Sequence, residues 1–334
     1  MKAVVLHGHG SFSFESSWPE PEVPDGWALV KVSASGICGS DLPRMTRTGS
    51  YFHPSIPGHE FAGVVAKPGS AAFRAGDRVA VLPIIPCGRC RGCATGPFHC
   101  ENYDFIGSRR NGGFAEFCAV PERNLFRLPG NLTDEEGAFI EPISVALHTL
   151  RRSGMRPGAR VLVFGGGAIG ILVAQWAGVL GASEVVLADI RAESLAVARA
   201  CGIGKTLDPR SDEFKSIGKF DNVFEAAGSA AALLSGIEVS SAGATVTVVG
   251  RDTGDTVVPL RSFEQLMRKE LDLKGCWGYD ISGEEPFVYD CLGARKFTLS
   301  PMVTHRIALE QGPETVVRMR DRAMFYCKVL FKVA

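Results

Sequence analysis

The stretch that most narrows the possible folds is Arg160-Val161-Leu162-Val163-Phe164, which runs directly into Gly165-Gly166-Gly167-Ala168-Ile169-Gly170 and then into an apolar segment. An apolar run of that length, bounded by glycine, reads as a strand buried on both faces. Such strands belong to parallel sheets covered by helices. Similar runs recur at 184–188, 222–226 and 245–249, with Ala-rich helical patterns at 169–180, 192–200 and 230–239 between them. The alternation predicts an α/β module, a doubly wound parallel sheet, over residues 146–285.

The glycine loop has its own chemistry. Gly165 can make the tight turn, Gly167 lets backbone approach a pyrophosphate, and Gly170 lets helix and strand pack closely. A helix opening at Ala168 and Ile169 would turn unpaired N–H groups and its positive dipole end toward the phosphates. Asp189 closes the next strand, where a carboxylate accepts from ribose hydroxyls and repels a 2'-phosphate. The expected cofactor is therefore NAD, with Arg191 the one nearby group able to hold an extra phosphate.

Residues 1–145 have a different texture, with short β-rich runs at 28–32, 61–66 and 78–82 cut by Gly and Pro. This predicts an irregular β domain or small barrel. The last stretch, 286–334, is too short for a third domain and is expected to return to the first, with a closing strand at 328–331. Lys+Arg and Asp+Glu both number 36, so no basic excess draws the chain to nucleic acid or an anionic membrane. The apolar run at the N-terminus is too short for a signal peptide, and no window suits a membrane span. A cytoplasmic protein with a small-molecule substrate is expected.

Ten cysteines in such a chain read as metal ligands, catalytic groups or core residues. Cys87, Cys90, Cys93 and Cys100 form one cluster, and four thiolates satisfy tetrahedral zinc with no open position, which makes a structural site. Arg89 and Arg91 are expected to help keep those thiols ionised. A second set, Cys38, Ser40 and Asp41 followed by His59 and Glu60, offers a thiolate, a hydroxyl, a carboxylate and an imidazole. A catalytic zinc needs about three protein ligands and one exchangeable position. Cys38 and His59 supply two; Glu141, beside Pro142, is the first candidate for the third and Glu60 the second. Asp41 either orients the His59 imidazole or caps its turn, and Ser40 is the candidate proton acceptor.

Taken together, GICGSD, GHEFAGVV, GDRVAV, the four-cysteine loop, Glu141-Pro142 and GGGAIG resemble the zinc-dependent medium-chain alcohol and polyol dehydrogenases over essentially the whole chain. The stretches 38–44, 102–114 and 137–142 are most similar to the branch that oxidises galactitol 1-phosphate. The resemblance implies a GroES-like catalytic domain joined to a Rossmann domain, and zinc on Cys38, His59 and Glu141 or Glu60. It also implies Gly250 and Cys276 beside the cofactor, and a homodimer or homotetramer. Pro43 stands where simple alcohol dehydrogenases carry a relay histidine, so the proton's route begins at Ser40. Arg109 and Arg110 are candidates for a substrate phosphate clamp; the alternative is two solvated loop arginines. Rival readings are a sorbitol-, xylitol- or L-threonine-type dehydrogenase of the same fold, or a non-catalytic redox sensor that binds zinc and NAD.

Overall fold

A computed structural model describes residues 1–251, 254–280 and 285–333. The chain divides into two compact units, of which the second comprises Pro142–Tyr279 and Ala294–Met302. Its sheet has the neighbour order Lys205–Leu207, Glu184–Ala188, Arg160–Phe164, Phe220–Glu225, Ser240–Val248 and Asp272–Gly275. Every neighbouring pair is parallel. Numbered along the chain the order is 3-2-1-4-5-6, the doubly wound dinucleotide arrangement, and the order reverses between Arg160–Phe164 and Phe220–Glu225.

Parallel neighbours need crossovers, and the helices Ala168–Val179, Ala192–Ala200 and Ala230–Val239 lie where the sequence pattern puts them. Ala168–Val179 is apolar around most of its circumference and buries every residue from Gly170 to Ala177. Trp176, fully buried, donates from Nε1 to the Ile143 carbonyl at 3.0 Å and meets Phe297 edge-on at 4.7 Å. With the Thr298 N–H donating to Gln175 at 2.7 Å, these contacts keep residues 294–302 in this unit. The expected return of the whole 286–334 stretch to the first unit is thus interrupted by one segment.

The first unit comprises Met1–Glu141, Asp280–Gly293 and Val303–Ala334. Its main sheet runs Val303–Ile307, Lys328–Lys332, Trp27–Gly36, Glu60–Lys67, Arg78–Val81 and Leu125–Arg127, with Phe117–Pro121 also on Trp27–Gly36. All these pairs are antiparallel except the first. The closing strand is found at Lys328–Lys332. Register places Gly36 opposite Glu60 on one side and opposite Leu330 on the other. Short strands such as Lys205–Leu207 and Asp272–Gly275 went unread because they are brief and partly polar, as edge strands are. Among the described residues, no helix is long and apolar enough to cross a membrane.

Two glycines of one helix test the packing in opposite directions. A Cβ on Gly170 would stand 1.8 Å from the Gly165 carbonyl oxygen, whereas one on Gly178 meets nothing within 4 Å. Gly170→Ala is expected to lose at least about 1–3 kcal/mol of stability, and Gly178→Ala to gain roughly 0.5–1 kcal/mol. Urea denaturation of both variants checks this, and shifts of the same sign would contradict the packing.

Candidate active site

The four-cysteine loop closes through a short turn at Gly92–Ala94. A Cβ on Gly92 would stand 1.9 Å from the His99 carbonyl oxygen, so only glycine lets the loop fold back and bring Cys100 to the other three. The sulfurs stand 3.5 Å apart for Cys90–Cys93 and 3.8 Å apart for Cys87–Cys93 and Cys90–Cys100. A tetrahedron with zinc–sulfur bonds of about 2.3 Å has edges of about 3.8 Å, so the donor set fits zinc in size and chemistry. The Arg89 peptide N–H is the leading cause that brings the Cys87 thiol down to about 6. Peptide N–H groups of Glu101 and Cys93 likewise lower Cys90. Backbone donors, rather than the arginine charges expected from sequence, therefore favour the thiolates. Burial pushes Cys100 the other way, up to about 11.

The second cluster forms where Trp27–Gly36 ends and Glu60–Lys67 begins. One ligand atom each from Cys38, His59 and Glu60 lies within 4.8 Å of the others. His59 and Glu60 are buried, and Cys38 is partly exposed. Asp41, completely buried, accepts from the Cys38 N–H at 3.0 Å and from Arg44 at 3.1 Å, and lies 3.4 Å from His59 Nδ1. The imidazole contact is an ion pair without hydrogen-bond alignment, since Nδ1 has no hydrogen-bond partner. Burial alone would raise the Asp41 carboxyl, but His59, Arg44 and the Cys38 N–H hold it below its ordinary value. Burial would lower the His59 imidazole, but the charges of Asp41 and Cys38 hold it well above its ordinary value. A divalent cation suits the same place, where a thiol and several carboxylates converge with Nδ1 turned toward Asp41 and Nε2 left for the metal.

Glu60 meets Lys328 at 2.5 Å, with both side chains buried. A Cβ on Gly36 would stand 2.4 Å from Glu60 Oε2 and 3.4 Å from the Lys328 stem, so the missing side chain makes room for the pair. Glu141, in the first turn of the helix Ile140–Ser153, is buried too, and burial pushes its carboxyl up to about 7. It feels the charges of His59 and Glu60 but stands outside the group that Cys38, His59 and Glu60 form. The sequence favoured Glu141 as third donor; the geometry brings Glu60 in. Ser40 donates from Oγ to Cys38 Sγ at 3.4 Å. Arg110 is taken up by Asp104 at 2.5 Å, whereas Arg109 lies over the rings of Tyr51 and Tyr103.

In the second unit Gly165 takes φ +105° and donates to the Ala188 carbonyl at 2.8 Å, while a Cβ on Gly167 would face open space. The helix opening at Ala168 and Ile169 has no side-chain cap, which leaves its first N–H groups for a phosphate. Both oxygens of Asp189 are engaged, one by the Gly166 N–H at 2.6 Å and the other by the Arg191 N–H at 2.8 Å. Arg191 Nε lies 3.9 Å from the same carboxylate. Gly250 donates to the Glu225 carbonyl at 2.8 Å, and Cys276 to the Val248 carbonyl at 2.9 Å. Sequence reasoning missed Glu225, whose buried side chain accepts from Ala227 at 2.9 Å and Ser229 at 3.2 Å. The side chain thereby holds the loop that follows its own strand, while the Glu225 backbone carbonyl accepts from Val249 and Gly250 at the end of the next strand. The available signal was an acid at the end of an otherwise buried run.

Residues 24–130 match the alcohol dehydrogenase GroES-like domain and residues 168–294 the zinc-binding dehydrogenase family. Galactitol 1-phosphate 5-dehydrogenase of Escherichia coli (strain K12) is 36% identical over 97% of this chain and 98% of its own length. A crystal structure of galactitol-1-phosphate dehydrogenase from Escherichia coli aligns with a TM-score of 0.91 at 34% identity, covering 99% of this chain and 100% of that one. A zinc-binding dehydrogenase from Sinorhizobium meliloti 1021, bound to NADP, aligns with a TM-score of 0.92 at 31% identity over 99% and 98% of the two chains.

The cysteine loop yields a test of its own. Cys93→Ser is expected to lower the zinc content by one ion per chain and to lower Tm, measured by metal analysis and calorimetry on the same preparation. An unchanged zinc count would contradict the four-thiolate site.

Proposed function

We propose, for a chain that belongs to the zinc-binding dehydrogenases with an alcohol dehydrogenase GroES-like domain, that it oxidises a secondary hydroxyl of a polyol phosphate. Galactitol 1-phosphate, giving tagatose 6-phosphate, is the first candidate, and NAD the hydride acceptor. The observation that carries the reading is the convergence of Cys38, His59 and Glu60, with Ser40 on the Cys38 sulfur. The choice of substrate is supported by the relative matched over 98% of its own length.

Cys38, His59 and a carboxylate would hold the metal. Glu60 is the carboxylate grouped with them, and buried Glu141 is the other candidate donor. Zinc held there supplies the Lewis acidity that lowers the pKa of the substrate hydroxyl, and NAD supplies the hydride acceptor. Arg44 holds the Asp41 carboxylate, which faces His59 Nδ1 and would leave Nε2 for the metal. Ser40 Oγ would take the substrate's hydroxyl proton as its own O–H proton leaves to water, because Pro43 offers no base. Asp189 orients the ribose hydroxyls and disfavours a 2'-phosphate, which favours NAD over the NADP that the Sinorhizobium protein binds. The reduced thiols of the zinc loop suit the cytoplasm.

Leu260, Phe263 and Met267 lie along one face of the helix Leu260–Arg268 and are 73%, 57% and 59% exposed. These side chains, and Leu273 exposed on the sheet's edge strand Asp272–Gly275, are the apolar groups through which two copies would pair. The double variant Phe263→Glu, Met267→Glu is expected to be monomeric by light scattering where the parent is dimeric or tetrameric. A monomeric parent would contradict this.

The substrate is tested by kcat/KM for galactitol 1-phosphate, galactitol, sorbitol and L-threonine, each with NAD and NADP. Galactitol 1-phosphate with NAD is expected to lead, and equal activity on free polyols would overturn the phosphate reading. Ser40→Ala should lower kcat by about 100-fold or more with KM little changed. An unchanged kcat would remove Ser40 from the proton's path.

A further inference from the structure

Arg109 and Arg110 are neighbours in sequence with different surroundings. Arg110 is neutralised by Asp104 at 2.5 Å and lies 5.3 Å from the centre of the Trp27 ring. The Arg109 guanidinium instead lies between two aromatic faces, 4.0 Å from the ring centre of Tyr51 and 4.7 Å from that of Tyr103. Among the described residues no carboxylate forms an ion pair with it. Stacking covers the faces of a guanidinium and leaves its edge, where the N–H donors lie in one plane, open to an acceptor. A cation fixed in this way matches a phosphate or carboxylate, whose oxygens take two parallel N–H bonds.

The sandwich is tied to the metal cluster within the first unit. Tyr103 packs edge-on against Phe105 at 6.4 Å, and Phe105 against the His59 ring at 5.5 Å. The Arg109 N–H donates to the Phe105 carbonyl at 2.9 Å. A Cβ on Gly107 would stand 2.5 Å from the Gly58 carbonyl oxygen, so this loop lies directly on the residue before His59. On the other side, the Tyr51 N–H and the Ser50 hydroxyl both donate to the Ser108 carbonyl, which fixes Tyr51 over the arginine.

We infer that Arg109, held between Tyr51 and Tyr103, binds the terminal anionic group of an open-chain polyol whose hydroxyl reacts at the Cys38–His59 centre, and that Arg110 takes no part. The inference rests on the polyol reading above and assigns the anion to one residue. A phosphate monoester is dianionic near neutral pH and a sugar-acid carboxylate carries one charge; both present the oxygens that a guanidinium edge recognises.

The test measures kcat/KM for galactitol 1-phosphate, galactonate and galactitol with the full-length zinc-loaded enzyme and the variants Arg109→Gln, Arg110→Gln and Tyr103→Leu. Arg109→Gln is expected to reduce the preference for the phosphorylated over the free polyol by about 10- to 100-fold, mostly through KM. Tyr103→Leu should reduce it less, and Arg110→Gln should keep it. If Arg109→Gln erases a preference for galactonate while galactitol 1-phosphate is no better than galactitol, the inference holds and the phosphorylated substrate is wrong. If the parent prefers galactitol 1-phosphate and Arg109→Gln retains that preference, the inference is overturned and the substrate reading stands.

Discussion

Lys328 and Glu60 meet at 2.5 Å although 268 positions apart in sequence, with side chains 5% and 2% exposed. A buried ammonium or carboxylate alone costs several kcal/mol, roughly 3–5 when one partner of such a pair is removed. Burial pulls the Lys328 ammonium toward neutrality, and the charges of Glu60 and Cys38 hold it above its ordinary value. The pair forms because the strand Lys328–Lys332 lies beside Trp27–Gly36, with Glu60 at the head of the next strand. The chain must therefore come back to the first unit after building the second. Gly36 sits between the two strands and has no side chain to obstruct the pair.

The two cysteine-bearing clusters show how surroundings decide what a metal could do. Cys87, Cys90, Cys93 and Cys100 surround one point with four sulfurs and leave no position for a substrate. Cys38, His59 and Glu60 offer one sulfur, one nitrogen and one oxygen, and Ser40 stands on the sulfur as a polar neighbour. Asp41 accepts hydrogen bonds from the Cys38 N–H and Arg44 and stands 3.4 Å from the His59 ring as its ion-pair partner, so a single buried carboxylate touches two of the three donors.

Much of this was legible in the sequence where the signal was local. The strand Arg160–Phe164, the glycine turn and the helix after it are contiguous, and the Ala-rich helices were read to within a residue or two. The cysteine loop was legible because its chemistry is confined to one short stretch, whereas Asp41 could be read either as a partner of His59 or as a turn cap, and only the structure shows the 3.4 Å contact. What stayed hidden depends on distant strands or on lone charges. Lys328 reads as an ordinary basic residue opening a strand, Glu225 as an ordinary acid closing one, and neither spacing nor composition reveals what each meets. Choosing between Glu60 and Glu141, or between Arg109 and Arg110, requires the neighbours: Lys328, Asp104, and the rings of Tyr51 and Tyr103.

On the proposed reading, Cys38 and His59 hold a catalytic metal in a centre separate from the cysteine loop. Anomalous scattering at the zinc edge, from crystals of the purified zinc-loaded protein, tests it most directly. Two peaks per chain are expected. One lies among the sulfurs of Cys87, Cys90, Cys93 and Cys100; the other lies about 2.0–2.3 Å from Cys38 Sγ, a His59 nitrogen and an oxygen of Glu60 or Glu141. A single peak at the cysteine loop, with Cys38 and His59 bearing no metal, would contradict it.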